Sequence, residues 1–232
     1  MSILSDTMRM GASQPSSADD AYQIEKSLRF NDGDTPYLNR TFGVGDTRCW
    51  TWSGWVKRST SAQYHNFFNA RSASTNYFMV RFEDDSIRWY NRPTSGTHRH
   101  AKTNAVYRDY SAWFHIVLSW DTTLATDSER VKLYVNGERI TSFSSSSWPS
   151  QHEESVLNAA IHHDIGAYNS GDTYNFDGYL ADVQFIDGLA LSPAAFGEFS
   201  SAGVWNPKTF SIPAPNNGTT WSDNVTCNAT LP

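Results

Sequence analysis

Apolar and polar residues alternate through most of the chain, most clearly between residues 113 and 140. In the first half of this stretch one side is apolar and the other is mixed, with Phe114, Ile116, Leu118 and Trp120 opposite His115, Val117 and Ser119. A period of two is typical of a strand with one face in a core. The pattern returns at Val131, Leu133 and Val135, after which Asn136-Gly137 suits a type I′ turn. The stretch predicts a β-meander, which needs further strands to bury its apolar face.

Similar alternation, interrupted by turn residues, predicts short strands before and after the meander. They cover residues 28–30, 37–42, 50–57, 64–71, 77–82, 87–91, 97–106, 162–168 and 176–186. Residues 142–155 are expected to form a polar loop, and residues 192–198 the one short helix, with Ser192 as N-cap and Pro193 at the first helical position. The fold class predicted is all-β, an antiparallel two-sheet jelly-roll sandwich.

The chain of 232 residues divides into three parts by composition. Residues 1–24 are rich in Ser, Ala and Asp without a period, which predicts an N-terminal arm that is disordered or ordered by a partner. Residues 25–200 form the sandwich. Residues 201–232, rich in Pro and Asn, are expected to be an irregular strap or linker.

Charge and hydropathy exclude several classes of partner. The net charge is −6 with both signs interspersed, so a nucleic-acid partner is not expected. No apolar run approaches the roughly 18 residues that cross a bilayer, and the N-terminus lacks the features of a secretory signal. The two cysteines, Cys49 and Cys227, favour buried reduced thiols over a bridge, and both alternatives stay open.

Three motifs together resemble a known family. They are Trp52-Ser-Gly-Trp-Val-Lys57, then Trp113-Phe-His115 with Lys132-Leu-Tyr-Val-Asn-Gly137, and finally Ile165-Gly166, Phe176-Asp-Gly178-Tyr-Leu-Ala-Asp182-Val and Leu191-Ser192-Pro193. They resemble the laminin-G-like branch of the concanavalin A-like lectin/glucanase jelly rolls over about residues 25–200. The resemblance implies two curved sheets, with ligands on the concave face or the rim.

A narrower resemblance concerns the start of the chain. Residues 24–31, 37–41 and 50–57, preceded by an arm that contains Met8-Arg-Met-Gly-Ala-Ser13, are similar to virion structural proteins of tailed, especially aquatic, phages. This resemblance implies synthesis in the host cytoplasm and a place on the virion.

Catalytic carboxylates are not expected. Glucanases of this superfamily carry Glu-x-Asp-x-Glu or Glu-x-Asp-x-x-Glu on one strand, which aims two carboxyls at one sugar. That spacing does not occur in the sequence. Glu83-Asp84-Asp85 is interpreted as a solvated turn and Glu153-Glu154 as part of a polar loop. The chain is therefore predicted not to be an enzyme.

Metal binding has only weak candidates, and no cofactor is predicted. Asp164, Asp172 and Asp177 are expected near one rim, where loop carboxylates could hold calcium, although loop Asp residues more often form turns. A zinc site is not expected, because the four histidines of the two pairs lack a third suitably spaced ligand: His98, His100, His162 and His163.

One group of side chains fits sugar binding. Tyr77, Arg81, Arg88 and Tyr90 are expected on the outward side of two adjacent strands. Tyrosine rings stack on the C–H faces of sugars, and arginines donate paired hydrogen bonds. Subunit interfaces favour the same residue types, so carbohydrate binding and oligomerisation stay open.

The leading hypothesis is a non-catalytic structural protein of a tailed-phage virion, such as a capsid decoration, head fibre or tail-associated protein. Its lectin-like domain would face host-surface glycans and its arm would dock on other virion proteins. The alternative is a free carbohydrate-binding module of a secreted or cell-surface protein. On the particle a homo-oligomer is expected, with a trimer favoured.

Overall fold

The computed structural model describes residues 22–61, 64–168 and 174–211. Fifteen strands alternate with turns and with three single 3-10 turns. The strands in chain order are β1 Leu28–Phe30, β2 Leu38–Thr41, β3 Cys49–Arg58, β4 Tyr64–Ala73, β5 Asn76–Glu83, β6 Ser86–Arg92, β7 Arg99–Thr103, β8 Phe114–Asp121, β9 Val131–Val135, β10 Glu138–Arg139, β11 Phe143–Ser147, β12 His162–Ile165, β13 Gly178–Asp187, β14 Gly197–Phe199 and β15 Trp205–Pro207. The 3-10 turns are Asp32–Asp34, Asp127–Glu129 and Pro193–Ala195.

Two large antiparallel sheets form a sandwich, which confirms the predicted all-β class. The first sheet has six strands in the order β1-β13-β3-β8-β9-β10. The second has seven strands in the order β11-β7-β6-β5-β4-β12-β2. In the middle of the second sheet, β4, β5 and β6 pair in sequence through tight hairpins. This arrangement places the outward side chains of β4 to β7 side by side.

The core lies between the two sheets and is dominated by indole rings. Trp50, Trp52, Trp89 and Trp120 are fully buried. Trp50 and Trp120 stack at a centroid distance of 5.5 Å, because their positions face each other across β3 and β8. Buried aromatic side chains each remove roughly 150–250 Å² of surface from water, so these four indoles contribute a large share of the apolar surface that the core buries.

The far side of the six-stranded sheet is also covered. A second buried cluster forms there from Val117, Leu189, Leu191 and Phe196. Thr51 anchors the segment after β13, since its hydroxyl donates to the carbonyl of Leu189 and accepts the amide N–H of Leu191. This side is therefore a packed layer.

The meander is confirmed with the predicted turn. Asn136 and Gly137 have φ values of 49° and 81°, as a type I′ turn requires. A Cβ atom at Gly137 would collide with the ring of Trp205. Glycine at position 137 therefore allows both the backbone conformation of the turn and the close packing of Trp205 from β15.

Three local predictions need correction. The region expected as a polar loop contains the edge strand β11, whose backbone pairs with β7 although its side chains are mostly serine. The expected helix is only the 3-10 turn Pro193–Ala195, because Gly197 continues directly into β14. The expected irregular strap contributes β15, which pairs with β14.

Cys49 is buried, as expected, but it is disulfide-bonded rather than reduced. Cys227 and residues 1–21 lie outside the described residues, so the predicted arm does too, apart from its last three positions. In the described ranges, no helix combines the length and apolarity needed to cross a membrane.

Candidate functional site

The outward face of β4 to β7 brings the predicted sugar-binding residues together. In the β5–β6 hairpin, Arg81 lies opposite Arg88, and Tyr77 lies opposite Arg92. Tyr90 lies between these two pairs, opposite Met79. The alternating positions, such as Phe78 and Val80, enter the core. We call this surface the arginine–tyrosine face, defined by Tyr64, Arg71, Tyr77, Arg81, Arg88, Tyr90, Arg92, Tyr168 and Tyr174.

Glu83 is the counter-ion at the centre of this face. Its carboxylate accepts hydrogen bonds from Arg81 Nε at 2.9 Å, from Arg88 Nη1 at 2.5 Å and from the Tyr90 hydroxyl at 3.2 Å. Burial of Glu83 alone would raise its pKa, but the hydrogen bonds and charges of Arg81 and Arg88 outweigh burial and lower the pKa. The carboxylate is therefore ionised at neutral pH.

The interpretation of residues 83–85 as a solvated turn is wrong for Glu83. Asp84 and Asp85 do form the tight turn, with φ values of 49° and 67°. Glu83, however, is only 6% exposed. It ends β5 in the same strand phase as Arg81, so its side chain lies along the face beside the guanidinium groups.

Tyr90 holds arginines in place and is not an open stacking platform. The guanidinium carbons of Arg81 and Arg88 lie 5.0 Å and 4.3 Å from the centre of its ring. His98 stacks on the ring at a centroid distance of 5.0 Å. Only 8% of Tyr90 is exposed, and burial raises the pKa of its hydroxyl to about 12.

Tyr77 is the accessible ring among the predicted residues. It is half-buried and meets the rings of Tyr168 and His98 edge-on, at centroid distances of 6.2 Å and 6.3 Å. Arg92 lies over Tyr77 at 5.9 Å, and Arg71 lies over Tyr168 at 4.8 Å. An open aromatic area flanked by cations results.

A second accessible aromatic area adjoins Arg81. Its guanidinium carbon lies 4.3 Å from the centre of the Tyr64 ring, and Tyr174 meets Tyr64 edge-on at 4.9 Å. Tyr174 is 45% exposed. Sequence reasoning missed Tyr64, Tyr174, Arg71, Arg92 and Tyr168. Arg92 could have been found, because it shares the strand phase of Arg88 and Tyr90 in β6.

The calcium candidates do not form a cation site in the described part of the chain. Asp164 is in β12 and bonds to His162 Nε2 at 2.6 Å. Asp177 pairs with Arg29 at 2.6 Å. Asp172 lies outside the described residues. Within those residues, no group of three or more carboxylate, histidine or cysteine side chains is arranged to hold a metal ion.

The histidines have separate structural roles. His98 and His100 lie together beside Tyr90, and burial, followed by neighbouring positive charge, lowers the pKa of each. His163 stacks on Phe42 at 4.0 Å, and burial lowers the pKa of His163 to about 4. These side chains are therefore mostly neutral above pH 7.

One serine–histidine pair has the spacing of a nucleophile and its base. Ser53 Oγ lies 2.9 Å from Nε2 of His115, and both residues are 1% exposed. Nδ1 of His115 accepts the indole N–H of Trp205 at 3.0 Å. A substrate cannot reach this buried pair, so we assign it a structural role.

A two-sheet jelly roll with an aromatic and cationic sheet face defines a lectin-like class of domain. The chain belongs to the concanavalin A-like lectin/glucanases superfamily, whose laminin-G-type family model matches residues 32–195. This confirms the broader of the two resemblances. No functionally curated protein has a significant sequence match to the chain.

The chain is similar to several solved structures at low sequence identity. The CBM40 module of the Ruminococcus gnavus IT-sialidase is 13% identical, with a TM-score of 0.50 over 69% of this chain and 95% of that one. The heptameric SAP-like pentraxin from Limulus polyphemus is 13% identical, with a TM-score of 0.46 over 71% of this chain and 73% of that one. The receptor-binding domain of botulinum neurotoxin type G is 12% identical, with a TM-score of 0.48 over 75% of this chain. The chain spans 42% of the neurotoxin chain's length.

Proposed function

We propose that the protein is a non-catalytic carbohydrate-binding protein, and that the arginine–tyrosine face contacts the sugar. The observation that carries this proposal is the accessible ring of Tyr77, with the guanidinium carbon of Arg92 5.9 Å from its centre, on the same face as Arg81 and Arg88. Membership of a lectin/glucanase superfamily supports it. A sugar buries its C–H face on an aromatic ring and its hydroxyls on fixed donors.

Preorganisation favours binding at this place. Glu83 and Tyr90 hold Arg81 and Arg88, which are only 11% and 20% exposed along their side chains. A ligand therefore does not need to order those side chains, a step that costs roughly 0.5–1.5 kcal/mol for each mobile side chain. The half-buried ring of Tyr77 and the exposed ring of Tyr174 then supply the contact area.

The test is an array of microbial and animal glycans, followed by calorimetry with the best ligand. Tyr77→Ala and Tyr174→Ala are expected to weaken binding about tenfold or more, since stacking contributes about 1.4 kcal/mol or more. Tyr37→Ala is the matched control, because Tyr37 is 38% exposed and lies before β2, outside the defined face. Equal affinity of all variants would reject the face as the sugar site.

Burial of the same face between subunits is the competing proposal. Tyrosine and arginine are enriched in protein interfaces. Sedimentation of the full chain distinguishes the two proposals. A self-associating protein whose oligomer dissociates on Tyr77→Ala would assign this face to an interface, and the sugar proposal would then be dropped.

At the level of the organism, we propose a structural role on a tailed-phage virion, with the lectin-like domain displayed toward host-surface glycans. The narrower sequence resemblance at residues 24–31, 37–41 and 50–57 supports this role. In this proposal residues 1–24 dock on other virion proteins. The rival is a free carbohydrate-binding module.

Particle assembly tests the virion role. Deletion of residues 1–24 is expected to abolish incorporation into particles while the sandwich keeps its strand-rich circular dichroism spectrum. Incorporation of the truncated protein would contradict docking through the arm. On the particle we propose a homo-oligomer, with a trimer favoured, and copy-number measurement on purified particles tests that stoichiometry.

A further inference from the structure

We propose that the ligand of the arginine–tyrosine face is an anionic glycan, whose carboxylate or sulfate group is received by Arg71 and Arg92 on either side of Tyr77. This inference rests on the proposed carbohydrate-binding function and specifies its ligand class.

The three residues form one row across three strands. Tyr77 in β5 lies directly opposite Arg71 in β4 and directly opposite Arg92 in β6. Because the three positions share one strand phase, their side chains emerge on the same side of the sheet. Two strand spacings, roughly 9.5 Å, separate the two arginine backbones. A single sugar ring on Tyr77 lies within reach of both guanidinium groups.

These two arginines differ from the others on the face in their counter-ions. Arg81 and Arg88 both pair with Glu83. Among the described residues, neither Arg71 nor Arg92 has a carboxylate within ion-pair distance. Their recorded neighbours are the rings of Tyr168 and Tyr77, and a cation–π contact leaves the positive charge uncompensated.

The carboxylate nearest to Arg71 along the sheet register does not change this conclusion. Asp164 is two residue pairs away, since His162 lies opposite Arg71 and Asp164 lies opposite Asn69. Its side chain is fully buried and bonds to Nε2 of His162 at 2.6 Å. Arg71 is half-buried and directed to the ring of Tyr168.

The local charge is also opposite to that of the whole chain. Strands β4 to β7 and the turn after β5 present five outward cations beside the carboxylates of Glu83 and Asp84: Arg71, Arg81, Arg88, Arg92 and Lys102. Asp85 of the same turn pairs instead with Arg58 and Arg108. The chain as a whole carries a net charge of −6. A positive surface on an acidic protein attracts anions and repels further copies of the same face.

Arginine suits the binding of a carboxylate or sulfate better than a side chain that offers positive charge alone. Its planar guanidinium donates two parallel hydrogen bonds to a carboxylate or sulfate. Among the described residues, Arg71 and Arg92 contact the ring faces of Tyr168 and Tyr77, so their N–H donors stay available to a ligand. A neutral sugar would leave two uncompensated charges beside it, whereas an anionic sugar neutralises them.

The experiment presents the full-length protein with an array of neutral, carboxylated and sulfated glycans. The carboxylated set includes tetragalacturonate with its neutral methyl ester, and 3′-sialyllactose with lactose. The sulfated set includes 3′-sulfolactose with the same lactose. We expect binding within the anionic sets, and its distribution between them identifies whether a carboxylate or a sulfate is preferred.

Variants then localise the interaction. The double variant Arg71→Gln/Arg92→Gln is expected to lose about tenfold or more in affinity for the best anionic glycan, and added salt to about 0.5 M should weaken the native protein similarly. Arg40→Gln is the control, because Arg40 is an exposed arginine of β2 in the opposite strand phase. Thermal unfolding of each variant excludes misfolding as the cause.

The outcomes separate this inference from the function on which it depends. Binding of neutral glycans that is lost in Tyr77→Ala but kept in the double arginine variant would overturn the anionic ligand and preserve the sugar site. Undiminished affinity of the double arginine variant for anionic glycans would also overturn the proposal that Arg71 and Arg92 receive the anionic group. Binding to no glycan in any set would overturn both proposals.

Discussion

Trp205 Nε1 donates a hydrogen bond to Nδ1 of His115 over 3.0 Å, which ties β15 to the outer side of the six-stranded sheet. The two rings are also nearly parallel, at a centroid distance of 5.9 Å and an angle of 21°. Since Nδ1 accepts this bond, the proton of the neutral imidazole belongs on Nε2, from which it is donated to Ser53 Oγ. Burial lowers the pKa of His115 to about 4 and favours this neutral form.

Replacing the indole should loosen this contact without emptying the site. Trp205→Phe keeps a ring but removes the donor, which leaves Nδ1 of His115 buried and unpaired. We expect the free energy of unfolding to fall by about 1–3 kcal/mol, measured by urea titration. Val204→Ala is the control, since Val204 is 57% exposed, and its effect should be within about 0.5 kcal/mol. Equal stability of Trp205→Phe and the native protein would show that the Trp205–His115 hydrogen bond does not stabilise the fold.

Stability should decrease as the pH falls from 7 to 5. Burial lowers the pKa of three histidines to about 4: His65, His115 and His163. The positive charge of Arg58 lowers the pKa of His65 further. The unfolded chain then binds more protons than the folded one below the ordinary histidine pKa of about 6.5, so stability present above that pH is lost toward pH 4. Each histidine should contribute about 2 kcal/mol between pH 7 and pH 5.

Urea unfolding at several pH values measures this slope. His163→Gln should remove the share of its own ring, about 2 kcal/mol between pH 7 and pH 5, from a slope to which His98 and His100 also contribute. A flat profile between pH 7 and pH 5 would show that the three rings are solvated or paired in the folded protein.

Strand phase could be predicted from the sequence, whereas the pairing of charges could not. Alternation placed Tyr77, Arg81, Arg88 and Tyr90 on one side because the side-chain period of a strand is two. The role of Glu83 depends on which residue of β6 lies opposite each residue of β5. That register follows from the two-residue turn at Asp84 and Asp85, which a run of three acidic residues did not indicate.

The counter-ion role of Glu83 gives a further stability prediction. Glu83→Gln keeps the shape of the side chain but leaves Arg81 and Arg88 without a carboxylate. We expect a loss of about 2–4 kcal/mol in the free energy of unfolding, because a partly buried charge pair is broken from one side. Glu138→Gln, at an exposed position of β10, should change stability by less than about 0.5 kcal/mol. A loss as small as that of the control would show that water already screens the arginines.

The Asn136-Gly137 turn gives another stability prediction. Gly137→Ala places a Cβ atom on a residue with φ of 81° and against the ring of Trp205. We expect a destabilisation of about 1–3 kcal/mol in thermal or urea unfolding. Gly43→Ala is the matched control, since an added Cβ there meets nothing within 4 Å. Similar stabilities of the two alanine variants would contradict the close approach of Trp205.

The missed elements share a physical reason. β11 is rich in serine and therefore lacks an apolar period, but its backbone completes the free edge of β7. β15 likewise depends on β14 and on the ring of His115, both distant in sequence. Such strands are specified by tertiary hydrogen bonds more than by their own composition. The same holds for Arg71, whose place in the site depends on β4 lying beside β5.

The most direct test of the central claim is the affinity of the native protein and of Tyr77→Ala for the best ligand from the glycan array, measured by calorimetry at one salt concentration. We expect a saturable one-site isotherm for the native protein and a loss of about tenfold or more for Tyr77→Ala, with Tyr37→Ala unchanged. An unchanged isotherm for Tyr77→Ala, with the protein folded, would contradict sugar binding at the arginine–tyrosine face.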